Sequence, residues 1–190
     1  RASLNENSTG DNNVAIGRSA LLANTTADNN TAVGHNSLTA NTTGASNVAV
    51  GQVALQANTT AAENTDALYS NTTGASNVAL GAYSLDANTT ASNNTAVGVH
   101  SLGANTTGDR GAALGKGALA ANTTGTENVG IGYLALDANT TGAANTAVGS
   151  EALGANTTAN YNVAVGTAAL ILNTTGTHNV AIGALAGDAI

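Results

Sequence analysis

The chain has no cysteine, proline, methionine, tryptophan or phenylalanine, and only four tyrosines among its 190 residues. Without cysteine there is no disulfide framework and no thiolate metal site. Without the large aromatic and thioether side chains, the usual interlocked core cannot be built. The 42% hydrophobic fraction is largely alanine, so the core must be thin or shared between chains. Basic residues are nearly absent, with four Lys and Arg against eleven Asp and Glu for a net charge of −7. That excludes the cationic footprint of a nucleic-acid binder and the polybasic patch that holds a protein to anionic lipid. No apolar run approaches the roughly 18–20 residues of a membrane span and no signal-peptide pattern opens the chain, so membrane insertion of this segment is not expected.

What is present is a repeat. The stretch 30–46, NTAVGHNSLTANTTGAS, is followed at once by NVAVGQVALQANTTAAE. Numbering the unit from its first residue, place 1 falls at Asn13, Asn30, Asn47, Asn64, Asn77, Asn94, Gly111, Asn128, Asn145, Asn162 and Asn179. Nine of the ten steps are 17 residues; the step from 64 to 77 is 13, because the equivalent of Ala-Val-Gly-His is missing before Asp66. Residues 1–190 therefore read as one array of about eleven coils with an irregular coil at 64–76. With no polar cap at either end, the array reads as a piece of a longer repeat protein.

The copies have diverged unevenly, which argues against a disordered low-complexity chain. Places 6, 7, 10, 16 and 17 vary freely. Place 5 is glycine in every copy that possesses it, from Gly17 to Gly183, and place 9 is leucine from Leu21 to Leu170. Two segments have strand character: places 2–4, as in Val14-Ala15-Ile16, and places 8–11, as in Ser37-Leu38-Thr39-Ala40. The fixed glycine between them suits a turn of positive φ or a close backbone approach. Asn-Thr-Thr-Gly/Ala is a second turn cluster. Helical solenoid units need more than about 30 residues, so the spacing predicts an all-β fold, a parallel β-solenoid of 17-residue coils. At about 4.8 Å per coil the rod is on the order of 50 Å long. Stacked asparagines at places 1 and 12 are expected to form amide ladders, and the short coil to interrupt the rod.

Alternation along a strand sets place 3 opposite places 2 and 4. Place 3 stays small: Ala15, Ala32, Ala49, Ala79, Ala96, Ala113, Gly130, Ala147, Ala164 and Ala181. If it faces outward, another chain packs closely on it. If it faces inward, the Val/Ile/Leu stripe is outside and needs a cover. Both readings lead to a homo-oligomer, with the Ala stripe as the interchain candidate. A narrow core that merely requires small residues is the plain alternative.

The motifs NVAIG, NVAVG and NTAVG, followed by xxAL and NTTG, resemble the head repeats of trimeric autotransporter adhesins (the YadA-like head). They are similar also to repeats of phage tail fibres. The resemblance covers essentially the whole chain. It implies a left-handed parallel β-roll, three chains side by side as a homotrimer, and an extracellular, cell-surface or virion location. The role it implies is that of a rigid shaft attaching to an unknown surface receptor or glycan.

Chemistry-bearing residues are scattered. His35, His100 and His178 sit at places 6, 7 and 17 and share no column, so no metal set of the usual spacing exists within a chain. Asp86 and Asp137 share place 10 three coils apart, about 14 Å at the strand spacing and too far for a glycosidase carboxylate pair. There is no phosphate loop, no calcium repeat, no triad pattern and no expected cofactor. An enzyme such as a polysaccharide lyase on this scaffold would need clustered acids and bases that the sequence does not supply. The one repeated polar motif is Asn-Thr-Thr, beginning at Asn24, Asn41, Asn58, Asn71, Asn88, Asn105, Asn122, Asn139, Asn156 and Asn173. It reads first as a structural turn. It is also an N-glycosylation sequon and, as a threonine array, the basis of an alternative ice- or surface-binding solenoid.

Overall fold

The computed structural model of the chain describes residues 2–65 and 69–188. Each full repeat contributes one strand of three residues, at places 2–4. In chain order these are β1 (Val14–Ile16), β2 (Thr31–Val33), β3 (Val48–Val50), β4 (Val78–Leu80), β5 (Thr95–Val97), β6 (Ala112–Leu114), β7 (Val129–Ile131), β8 (Thr146–Val148), β9 (Val163–Val165) and β10 (Val180–Ile182). Neighbouring strands pair in parallel with equivalent places opposite one another, as in Ala15 with Ala32 and Ala96 with Ala113. The chain is a parallel β-solenoid of 17-residue coils.

The second expected strand, at places 8–11, is not formed. The backbone there turns twice through the left-handed region: in the coil from Asn30, Asn36 has φ +59° and Leu38 φ +48°. The same signs recur at places 7 and 9 of the other full coils, and at place 17 in residues such as Asn29 and Ser46. These reversals aim N–H groups along the rod axis. Place 7 donates to the coil before, as from Asn36 to Arg18, and place 9 to the coil after, as from Leu38 to Ala54 at 2.9 Å. A left-handed leucine is costly, on the order of 1–3 kcal/mol. Complete burial of its side chain, worth about 1.5–3 kcal/mol, and the axial hydrogen bond offset that cost.

At place 5 the backbone demands glycine outright. Gly98 has φ +132°, and a Cβ there would lie 2.6 Å from the carbonyl carbon and oxygen of Gly115 in the next coil. Gly17, Gly34 and the place-5 glycines from Gly81 to Gly166 each stack on the next in this way.

The core is one column of leucines, Leu21 to Leu170, flanked by alanines at places 3 and 8. The Ala stripe named above as the interchain candidate is therefore corrected: it belongs to this core. Ala32, Ala49, Ala79, Ala96, Ala147 and Ala164 are fully buried within their own chain, with Ala113, Gly130 and Ala181 nearly so and Ala15 partly. The size limit is internal, since a Cβ at Gly130 would meet Leu119 Cγ at 3.2 Å and the Ala135 oxygen at 3.1 Å. Places 2 and 4 face outward instead.

Among the described residues of the short coil, Thr65 takes the strand's place, bridging Val48 on one side and Val78 on the other. The sheet is thereby divided into β1–β3 and β4–β10. Asp66, Ala67 and Leu68 lie outside the described residues.

Leu102→Ala is expected to cost about 2–5 kcal/mol, as for a leucine cavity in a tight core. Leu172→Ala, at a residue 65% exposed, is expected to change stability by less than about 0.5 kcal/mol. Urea denaturation of the two variants checks the contrast.

Candidate functional site

A coil presents three kinds of surface: the sheet face, the Asn-Thr-Thr turn, and the variable edge of places 6, 7 and 10.

The Asn-Thr-Thr turn rests on the first of two amide ladders. At place 12, each asparagine Nδ2 donates to the Oδ1 of the preceding coil, from Asn24 to Asn7 at 2.8 Å through to Asn173 to Asn156 at 3.4 Å. The second amide hydrogen goes to the carbonyl three residues on, as from Asn122 to Gly125 at 3.0 Å. At place 1 the geometry differs. There the side-chain oxygen accepts the backbone N–H of the next coil, as Asn145 Oδ1 does from Asn162 at 3.0 Å. Its Nδ2 closes the coil on the place-15 carbonyl, as from Asn145 to Ala159 at 2.8 Å. Both columns are almost wholly buried through the middle of the rod. Asn30 and Asn64 alone, among the described residues, leave Nδ2 buried without an acceptor.

Of the two threonines in a turn, the first, from Thr25 to Thr140, commits its hydroxyl proton to the next coil, as Thr106 Oγ1 does to the Thr123 carbonyl at 3.1 Å. The second, as at Thr43, Thr107 and Thr124, is exposed.

The sheet face carries β-branched and aliphatic side chains directed to solvent: Ile16 is 60% exposed, Val50 52%, Leu80 57% and Leu114 51%.

Two aromatic pairs come from adjacent coils, each within one column: one at place 7 of the variable edge, the other at place 17. Tyr83 stacks on His100, ring centroids 4.9 Å apart and planes within 9°, and Tyr161 stacks on His178 at 4.9 Å. The 17-residue separation of each pair was the available signal for them. His35 is exposed in another column. The same column arrangement joins Arg110 to Glu127 at 2.7 Å, an exposed ion pair of the kind worth about 0–1 kcal/mol. Among the described residues no group of three His, Cys, Asp or Glu comes together to hold a metal ion, and no helix is long and apolar enough to cross a membrane.

A hollow of about 570 Å³ is lined, among the described residues, by Tyr69 of the short coil and by residues of the coils on either side of it. Its walls include Gln52, Val53, Tyr69, Tyr83 and Asp86. A smaller hollow of about 320 Å³ continues past Tyr83 and Asp86 to His100.

Comparison of the chain with models of known families, with curated proteins and with solved structures finds no match.

Two outcomes follow from the buried amides and acids. A glycan on a place-12 asparagine would replace one of two hydrogens already donated, in a side chain with no solvent contact. Folded protein secreted from a glycosylating host is therefore expected to carry no glycan at Asn41 through Asn156, which intact-mass spectrometry against 18.2 kDa checks. The second concerns Asp137, whose carboxyl is held above its ordinary value of 3.8 by burial, with Glu151 adding to the effect and the backbone N–H groups of Asp137 and Ala138 opposing it. The folded chain thus keeps this proton to higher pH than the unfolded chain. Stability falls as pH rises from the unfolded value through the folded one, and the loss persists at neutral pH. Asp137→Asn is expected to raise Tm at pH 7 and to leave it nearly unchanged below the unfolded value, in calorimetry at the two pH values.

Proposed function

We propose that the chain is a structural segment of an extracellular or virion fibre, a rigid shaft that attaches through its surface and performs no catalysis. The observation that carries this reading is the outward Val/Ile/Leu face on a coil that repeats along the whole rod. Soluble monomers rarely leave a contiguous apolar stripe of this kind in water, whereas a second and third copy cover it with the same side chains. Three chains side by side, each a left-handed roll, satisfy all three stripes around one axis. The resemblance of NTAVG and NTTG repeats to adhesin heads and tail fibres points the same way. Axial hydrogen bonds from every coil to the next suit a part whose work is to hold a distance.

An ice-binding solenoid is the second reading, favoured by the exposed second threonine of each turn. The first threonine column counts against it, because its hydroxyl protons are already committed within the rod.

Sedimentation equilibrium is expected to give three times the 18.2 kDa chain mass, and a thermal hysteresis assay no effect. Replacing Leu80 and Leu114 together by glutamate is expected to give monomers with the β-rich circular dichroism retained. A wild-type chain that sediments as a monomer would remove the trimer.

A further inference from the structure

We infer that neighbouring copies of the chain meet flank to flank, in parallel and at one height, with basic residues at place 6 of one copy set against aspartates at place 16 of the next. The inference rests on the side-by-side reading above and names which edges of the partner chains touch.

The outward face of places 2 and 4 is bounded at both ends of its strands. Places 16 and 17 come before each strand and place 6 follows it, so the face has two chemically distinct flanks. Place 6 holds Arg18, His35 and Lys116 and no acid, while place 16 holds Asp11, Asp28 and Asp109 and no cation. The two sets match one to one. Each basic residue follows an aspartate by seven positions: Asp11 and Arg18, Asp28 and His35, Asp109 and Lys116. Where place 6 is uncharged, as at Gln52, Val99 and Ser150, the residue seven before is uncharged too: Ala45, Ser92 and Ala143.

Within one chain these pairs do not meet. Among the described residues Arg110 and Glu127 form the one ion pair, and Arg18, His35 and Lys116 are exposed without an acid partner. A strand lies between the members of each pair, β1 between Asp11 and Arg18 and β6 between Asp109 and Lys116. A matched pattern that no contact inside the chain explains points to a contact between chains.

Height and symmetry fit that contact. Seven residues of a 17-residue coil that rises about 4.8 Å place the members of a pair about 2 Å apart along the axis, within reach of a lysine or arginine side chain. Asp28 and Asp109 each use one carboxylate oxygen on a backbone N–H of the coil before, from Asp11 at 2.8 Å and Ser92 at 2.7 Å. The second oxygen of each has no partner among the described residues. Rotation about an axis parallel to the rod keeps heights equal and turns one flank of each copy toward the opposite flank of the next. Antiparallel packing would set base against base. Arg110, at place 17 on the acidic flank, has its charge met by Glu127. Ion pairs at the rim of such a face fix direction and register more than affinity.

Because the chain has no cysteine, introduced thiols report the contact directly. Lys116→Cys combined with Asp109→Cys, treated with a short bismaleimide, is expected to give covalent dimers and trimers on a denaturing gel. Lys116→Cys alone, and Lys116→Cys combined with Asp28→Cys at another height, are expected to stay monomeric on the gel. Dimers from Lys116→Cys alone show like flanks in contact and overturn the arrangement. Crosslinking through Asp28→Cys equal to that through Asp109→Cys overturns the register.

The charge is tested at Arg18 and Asp11, whose side chains form no hydrogen bond or ion pair among the described residues. Arg18→Asp and Asp11→Arg are each expected to raise the concentration of half-dissociation about tenfold or more, less so in about 1 M salt. Together they are expected to restore it, with circular dichroism unchanged throughout. A double variant as weak as the single ones overturns the pairing. Sedimentation of the wild type separates the two readings. A trimer without crosslinks between places 16 and 6 removes the flank pairing alone, a dimer with them removes the trimer alone, and a monomer removes both.

Discussion

The hydrogen bond directed along the rod axis is the interaction on which everything else depends. A coil of 17 residues has too few apolar side chains to hold itself closed, and most of its backbone would be unsatisfied in isolation. Stacked in register, its N–H and C=O groups find partners in the coils above and below: Val14 N–H meets the Asn30 carbonyl, and Gly34 N–H meets that of Ile16. Asparagine side chains extend the same scheme into the corners, where turning backbone has no strand partner. An amide is suited to this because it donates and accepts at once, and so can be repeated without end. Losing one member leaves buried partners unsatisfied on both sides, at about 1–3 kcal/mol each.

Axial bonding explains the sequence constraint better than core packing does. Among the described residues, leucine at place 9 is the one bulky apolar group fully buried in a coil, from Leu21 to Leu170, and alanine at place 3 is limited by the leucine opposite. The interior is thus narrow by construction, which is why the chain manages without phenylalanine or tryptophan. What remains apolar is turned outward on the sheet face. A fold of this kind has a one-dimensional energetics, in which each coil is stabilised by its two neighbours and gains nothing from distant ones.

Much of this was legible in the residues. The period, the parallel register, the strand at places 2–4, the amide ladders and the interruption at 64–76 all follow from reading columns, because translation along the rod keeps equivalent places in contact. The turn at places 8–11 was not legible. Leucine and alanine there have no preference for the left-handed region, and Leu38 adopts it only because the neighbouring coils supply both a pocket and an acceptor. A tertiary demand of that sort leaves a conserved residue type in the column but not its backbone sign. The direction of the Ala stripe was ambiguous for a related reason. Smallness records a close neighbour without saying whether that neighbour is the same chain. The meeting of Gln52, Tyr69, Tyr83 and Asp86 around one hollow, likewise, needs the coils stacked.

The short coil has a mechanical meaning as well. The place-12 amide column runs unbroken through it, from Asn58 to Asn71 to Asn88, while among the described residues the sheet column narrows to Thr65. A rod built this way is a beam with one flange notched and the other continuous. The rod therefore has one height at which its sheet narrows while its amide column does not.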